Sequence, residues 1–356
     1  MDGIRVNTKL IEKGDIVQPS NPIELSEFIQ KIPKVELHVH LEGALRAETL
    51  QKLSRKNRIT LPVQDLEELR RWSVFSGFPD FNEKYILISR CIQTEDDIYL
   101  IGQEFLEGQA AQNIVYSEIT YTAYTHFKQA GIPISDQIDV LMEASTWGEQ
   151  TLGVRMKVII DIARETSPEE GILVAEAAIR GMDKGVVALG LGGNEVGNPP
   201  AKFARAFAIA REAGLPCILH AGETAGPASI WEALEVANSV RIGHGVRCLE
   251  DAALVKELRE RQIPLEVCPT SNICLGIVRD LASHPLPQLI HEGLYVTINS
   301  DDPALFSTSL NEEYQKTAEG FAYSQHEIRQ FVKNGIQASF LPASEKIKLM
   351  DELALV

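Results

Sequence analysis

Gly185-Val186-Val187-Ala188-Leu189-Gly190-Leu191-Gly192 is followed by a helical pattern at Ala201–Ala213 and then by Pro216-Cys217-Ile218-Leu219-His220. Two short, continuous apolar runs around one helical segment predict a βαβ unit. Strands that are apolar on both faces belong to a parallel sheet covered by helices. The same alternation recurs outwards in both directions. Val35–His40, Ile114–Tyr121, Val154–Ile162, Arg241–His244, Ile263–Val267 and Tyr295–Asn299 read as further strands, with helices such as Leu249–Glu260 between most of them. Eight such units predict an α/β chain closed into a (β/α)8 (TIM) barrel, a fold that accommodates 356 residues in one domain.

Three segments depart from the regular alternation. Residues 1–22 read as an N-terminal arm ending at Asn21-Pro22, ahead of a single barrel domain over 23–356. The gap from Leu41 to Asn113 predicts a helical insertion after the first strand, at about 46–112, covering one end of the barrel as a lid. One of its helices starts near Thr94, whose hydroxyl can cap the amides of Asp97 and Ile98. Residues 311–354 read as C-terminal helices.

Composition narrows the function classes. Hydrophobic residues make up 44% and aromatics 6%, which is ordinary globular usage. With 34 basic and 50 acidic residues the formal charge is −16, which disfavours nucleic acid and anionic membranes as partners. A chain of this size needs no metal staple to fold, so a bound metal is expected to be catalytic. The five cysteines (Cys91, Cys217, Cys248, Cys268, Cys274) include no CxxC pair and read as reduced thiols. No secretory h-region or run of ~20 apolar residues occurs, so a cytoplasmic location is expected. Nothing in the sequence signals an oligomeric state.

Polar residues that can hold a metal fall at the carboxyl ends of the expected strands. One strand ends in His38-Val39-His40, others end in His220 and His244, and the last is followed by Ser300-Asp301-Asp302. Barrels of this type build their active site at that rim. Residues two apart in a strand face the same way, so His38 and His40 can share one ion. Imidazoles with a carboxylate suit Zn²⁺, and a bound cation lowers the pKa of a water ligand towards ~7. Taken singly, each feature has a plainer explanation: an unremarkable HxH, a hydrogen-bonded core histidine, a turn before Pro303. Convergence from four strands is what favours a metal. The other four histidines, His126, His284, His291 and His326, fall in loops or helices and read as non-catalytic.

Pro33-Lys34-Val35-Glu36-Leu37-His38-Val39-His40-Leu41-Glu42-Gly43, His220-Ala221-Gly222-Glu223, Ile242-Gly243-His244-Gly245 and Asn299-Ser300-Asp301-Asp302-Pro303 resemble the motifs of the adenosine deaminase family, in the family order. The resemblance runs from about Pro33 to Tyr314. It implies one Zn²⁺ per subunit on His38, His40, His220 and Asp301. It implies Glu223 as the acid facing purine N1, His244 as a base beside the attacking water, Asp302 as the carboxylate orienting it, and Gly193 as the backbone amide meeting purine N3. His40, Glu42, Thr120 and Asp302 are the further positions expected against substrate. The reaction implied is hydrolytic deamination of a 6-aminopurine to a 6-oxopurine and ammonia. An acid can be protonated at neutral pH for this purpose when burial or a neighbouring carboxylate raises its pKa, which is the expectation for Glu223.

Within the family three substrates are open: adenosine, free adenine, and the larger nucleoside 6-aminodeoxyfutalosine. Adenine deaminases tend to carry Ser-Ser where Gly192-Gly193 stands and Asp where Gly243 stands, which favours a nucleoside. Glu195-Val196-Gly197-Asn198-Pro199-Pro200 and Leu41-Glu42-Gly43, conversely, are similar to adenine deaminases. Classical adenosine deaminases carry Asp at Glu42, at the ribose, and Arg at Thr120. Tyr116–Thr122, Gly190–Gly193, Cys268–Ile273 and Val296–Asn299 are similar to the aminodeoxyfutalosine branch. A nucleoside is therefore the expectation and free adenine the alternative. A catalytically silent purine-binding barrel is disfavoured, because Glu223, His244 and Asp302 are all present. The unrelated zinc deaminases with H-x-E and P-C-x-x-C are excluded, because Pro216-Cys217 is followed by Ile218-Leu219-His220. Gly192-Gly193 likewise falls short of a dinucleotide-binding GxGxxG loop.

Overall fold

The computed structural model describes residues 22–72 and 74–356; the arm expected at 1–22 lies outside them except for Pro22, which opens the first helix. Eight strands follow in order: β1 (Lys34–His40), β2 (Ile114–Tyr121), β3 (Arg155–Ala163), β4 (Val186–Gly192), β5 (Cys217–Ala221), β6 (Arg241–His244), β7 (Leu265–Val267) and β8 (Val296–Ile298). Each pairs in parallel with the next, giving one sheet in sequence order. The seam between the last strand and the first is made just past β8. A parallel bridge joins Val39 to Asp301, with His40 N donating to Asp301 O at 2.8 Å and Asp301 N to His38 O at 3.1 Å. The chain is thus a (β/α)8 barrel.

Helix α1 (Pro22–Lys31) precedes β1. Four helices lie between β1 and β2: α2 (Ala47–Lys56), α3 (Leu66–Arg71), α4 (Phe78–Arg90) and α5 (Glu95–Ala111). The last of these behaves as an ordinary barrel helix, packed on β2 and on α7 (Ile134–Leu152), which follows α6 (Ala123–Ala130). Thr94 caps α5 by accepting from Asp97 N at 3.2 Å. Asp97 returns a bond to Thr94 N, so a reciprocal box forms where the sequence suggested a cap on both Asp97 and Ile98. Around the barrel come α8 (Pro168–Arg180), α9 (Ala204–Glu212), α10 (Pro227–Glu235), α11 (Ala252–Arg261), α12 (Pro269–Cys274) and α13 (Leu286–His291). The tail is α14 (Leu310–Phe321), α15 (Gln325–Ala338) and α16 (Ala343–Leu355). The helix expected over Leu249–Glu260 starts later, because Asp251 accepts from the amides of Ala253 and Leu254 and sets the N-terminus of α11 there.

Strand alternation divides the core. Val158, Ile160 and Ile162 of β3 join the large cluster beneath the helices, while Ile159 packs with Ala188 and Ile218 in a small separate cluster against Phe340. Beside this cluster lies a buried ionic chain. Arg241 pairs with Glu118 at 2.6 Å and with Glu266 at 2.5 Å, and its guanidinium sits over the Phe340 ring. Buried charges need such mutual pairing. The five cysteines are free thiols, four of them buried. Among the described residues no helix is long and apolar enough to cross a membrane.

Candidate active site

The barrel gathers four of the expected residues around one point. His38 lies in β1, His220 lies in β5, His244 closes β6, and Asp301 sits on the seam after β8. One ligand atom from each lies within 4.8 Å of every other, and His40, Asp301 and Asp302 form a second such group. Asp301 Oδ1 is 3.4 Å from His38 Nε2 and 3.3 Å from His40 Nε2. His40 Nε2 is 3.1 Å from His220 Nε2. His244 and Asp301 both adopt left-handed backbone, at φ 59° and 64°. That conformation is costly for non-glycine residues and is characteristic of functional sites.

The nitrogens that face the cluster are set by what the opposite ring nitrogens touch. His38 Nδ1 donates to Glu266 Oε2 at 2.8 Å, the end of the ionic chain from Arg241, so its Nε2 presents a lone pair inwards. His220 Nδ1 donates to Leu191 O at 3.0 Å, with the same result. His38 Nε2 is buried and has no hydrogen-bond partner among the described residues. Inward-facing imidazole lone pairs around a carboxylate are an arrangement that a cation satisfies and that hydrogen bonding does not.

His244 differs. Leu286 N donates to His284 Nδ1 at 3.1 Å, so His284 carries its hydrogen on Nε2 and gives it to Asn272 Oδ1 at 3.2 Å. The Asn272 amide then donates to His244 Nδ1 at 3.4 Å. His244 is left with Nε2–H, 3.7 Å from Glu223 Oε1 and 3.8 Å from Asp301 Oδ2. Burial holds it neutral, pulling its pKa down to about 4. The resemblance made His244 a base; the hydrogen-bond chain presents it as a donor instead.

Electrostatics separate the carboxyl groups. Burial alone would raise all of them. In Asp301 this is overcome by the close approach of His38 and His40, which holds it well below the usual carboxylate range. Asp302 goes the other way, pushed well up by burial and by the charge on Asp301. Glu223 is pushed well up by burial, then by the carboxylates of Asp301 and Glu195. Burial opposes charge on His38 and His40 too, but contacts with Asp301, Glu266 and Asp302 outweigh it and raise them to about 10 and about 9. Protons and a metal therefore compete for the same nitrogens.

A cavity of about 340 Å³ opens from this cluster, lined by His40, His220, Glu223, His244, Asp301 and Asp302 at its base and by Phe81, Tyr85, Tyr124 and Lys128 further out. Gly193 lines it with φ 95°, and a Cβ there would lie 2.6 Å from Glu165 Oε2. Gly43 is required for another reason: a Cβ at that position would overlap the Asp302 carboxylate. Glu42 and Thr120, expected against the substrate, are not among the lining residues. Glu42 is fully buried and already accepts from Tyr85 Oη at 3.1 Å, His126 Nε2 at 3.1 Å and Thr122 N at 3.2 Å. Thr120 stays in the β1–β2 ladder opposite His40.

Sequence reasoning missed Asp161, which lines the cavity from β3 with a buried Oδ1 that has no partner among the described residues. Burial raises its pKa to about 7. The available signal was a lone acid inside the apolar run Val158–Ala163. Glu266 carries the same signal within Ile263–Val267, whereas Tyr85 left none, because its partner Glu42 lies 43 residues away in sequence.

Similarity to known proteins agrees with this geometry. The profile of the family described as adenosine deaminase matches residues 33–356. An adenine deaminase of Wolinella succinogenes is 37% identical over 92% of this chain and 99% of its own length. An aminodeoxyfutalosine deaminase of Streptomyces coelicolor is 36% identical over 95% of this chain and 88% of its own. The crystal structure of adenine deaminase from Arthrobacter aurescens superposes with a TM-score of 0.87 at 35% identity, covering 91% of this chain and 98% of that one. With a metal-type cluster at the strand ends and matching relatives along nearly its whole length, the chain belongs to the adenosine deaminase family.

Proposed function

We propose that this chain catalyses the metal-dependent hydrolysis of a 6-aminopurine, releasing ammonia and a 6-oxopurine. The observation that carries this reading is one cavity whose base joins inward-facing imidazoles and Asp301 to a buried, proton-retaining Glu223. His38, His40, His220 and Asp301 would hold the metal, and their nitrogen and oxygen donors suit Zn²⁺. When bound, the metal supplies a Lewis acid that makes water reactive near neutral pH. Glu223 would donate to purine N1, which makes C6 electrophilic. The Gly193 amide would meet N3. Asp302, whose Oδ1 lacks a partner among the described residues, would accept from the attacking water, while His244 Nε2–H donates to the water's oxygen. Phe81 and Tyr85 would keep bulk water out. A cytoplasmic setting belongs to the same proposal, supported by the free thiols.

For the substrate we put adenine first. The adenine deaminases among the relatives support it, and so does the burial of Glu42 behind the cavity wall, where it is tied to Tyr85, His126 and Thr122 and does not line the space a sugar would occupy. A second reading, a purine extended at N9 such as adenosine or 6-aminodeoxyfutalosine, is favoured by the reach of the cavity to Phe78, Asn82, Lys128 and Gln129. Ammonia release by the zinc-loaded protein on adenine, adenosine and 5′-extended adenine nucleosides tests both. Higher kcat/KM on adenine is expected. Preference for an extended nucleoside transfers the assignment to the second reading, and no ammonia from any of them ends the deaminase proposal.

A further inference from the structure

Glu195 lies two residues beyond Gly193, in the loop after β4, and is 5% exposed. Its carboxylate is surrounded by consecutive backbone amides of the loop that follows β5. Oε1 accepts from Gly222 N at 2.6 Å. Oε2 accepts from Glu223 N at 3.2 Å, Thr224 N at 2.8 Å and Ala225 N at 2.7 Å, and also from the Thr224 hydroxyl at 3.3 Å. Successive amides converging on one anion form a nest, and the left-handed Gly222 (φ 70°) is what turns them to one side. Such a loop has no helix or ladder to hold it; here the anion takes that place.

The loop so gathered carries Glu223. Two arginines also tie the same region together: Arg164 donates to Asn198 O at 2.5 Å and to His220 O at 2.6 Å, and Arg247 donates from its side chain to Thr224 O at 2.7 Å and from its backbone N to Gly222 O at 3.0 Å. Of these, only Glu195 bonds the backbone of Glu223 itself. It joins that backbone rigidly to the strand end bearing Gly193.

We infer that Glu195 is a positioning residue for the acid: its carboxylate, seated in the Gly222–Ala225 amide nest, fixes Glu223 at a set distance from Gly193, so that the two reach N1 and N3 of one purine ring together. This rests on the deaminase reading for the role of Glu223, and on geometry alone for the nest. A catalytic group displaced by about 1 Å loses on the order of 10²-fold in rate, and the loss falls on kcat because the proton is delivered in the transition state.

The test compares Glu195→Gln in the wild-type and Glu223→Gln backgrounds, using zinc-loaded protein and kcat per bound metal, together with amide hydrogen exchange. The amide group of Gln cannot accept as the carboxylate does. In the wild-type background kcat should fall on the order of 10²-fold with KM nearly unchanged. In Glu223→Gln the same change should cost less than about 3-fold, because the group it positions is already gone. Exchange at residues 222–225 should accelerate, and Glu195→Asp, which keeps the charge, should restore part of both. Equal losses in the two backgrounds, unchanged exchange, or global unfolding of both Gln and Asp variants would overturn the proposal. If the wild-type protein deaminates nothing, the exchange measurement still decides the nest, so the two failures are distinguishable.

Discussion

Glu223 and Asp302 are both carboxyl groups that burial drives towards the neutral form, and the cavity uses them differently. In the proposed reaction Glu223 is needed with its proton. Because its folded pKa is raised, the protonated form persists above the usual carboxylate range and is lost as pH rises through the raised value, so the rate should fall on the alkaline side. Glu223→Gln should keep the metal and lower kcat by about 10²–10⁴-fold, with flattening of that alkaline limb; a near-normal rate removes Glu223 from the chemistry. Asp302→Ala should retain one metal per chain by elemental analysis and lose deamination, since Asp301 faces the histidines; loss of the metal would exchange the two roles. The ligand candidates were legible because each stands at the end of an apolar run. Glu42 was not, since two of its hydrogen-bond donors lie 43 and 84 residues further along the chain. His244 was legible as a site residue, but its protonation state depends on Asn272 and His284, which no spacing rule connects to it.

Among the elements, the strands were readable almost to the residue because burial on both faces writes itself as continuous Val and Ile. Helix starts were less so: the side-chain cap at Asp251 outweighed the apolar pattern that suggested Leu249. What the insertion does could not be read from periodicity at all. Helix α4 follows Gly77, whose φ of 128° suits glycine, and its Phe78, Phe81, Tyr85 and Ile86 line the cavity. Besides the stacking of Phe81 on Phe306, it is tied to the barrel by the Tyr85 hydroxyl on Glu42, with the ring edge-on to His40 at 6.0 Å between centroids. Tyr85→Phe leaves a buried carboxylate one donor short, at a cost of about 1–3 kcal/mol. Chemical denaturation should show that loss, and KM should rise several-fold as α4 seats less firmly. An unchanged KM would detach α4 from substrate retention.

For the whole molecule, the metal is expected to act on stability as well as on chemistry. A ligand that binds only the folded state contributes about 4.1 kcal/mol when present at a thousand times its Kd. Chelation should therefore lower the thermal midpoint and abolish activity, with both restored by Zn²⁺; a midpoint indifferent to chelator would argue against the His/Asp cluster as the binding site. Acid should mimic chelation. With His38 and His40 raised to about 10 and about 9 in the absence of a cation, protons win these nitrogens as pH falls and the metal is released.

Asp301 also closes the barrel. The staves of this cask are hooped by ordinary ladders everywhere except between the last and the first, where the joint is the backbone of Asp301 and its flanking bonds to His38 and His40. The residue proposed to grip the ion is thus also the clasp of the cylinder, and loss of that ion should loosen the clasp. Heat should part the depleted protein first along that line, with exchange at His40 and Asp301 quickening before any other strand pair yields.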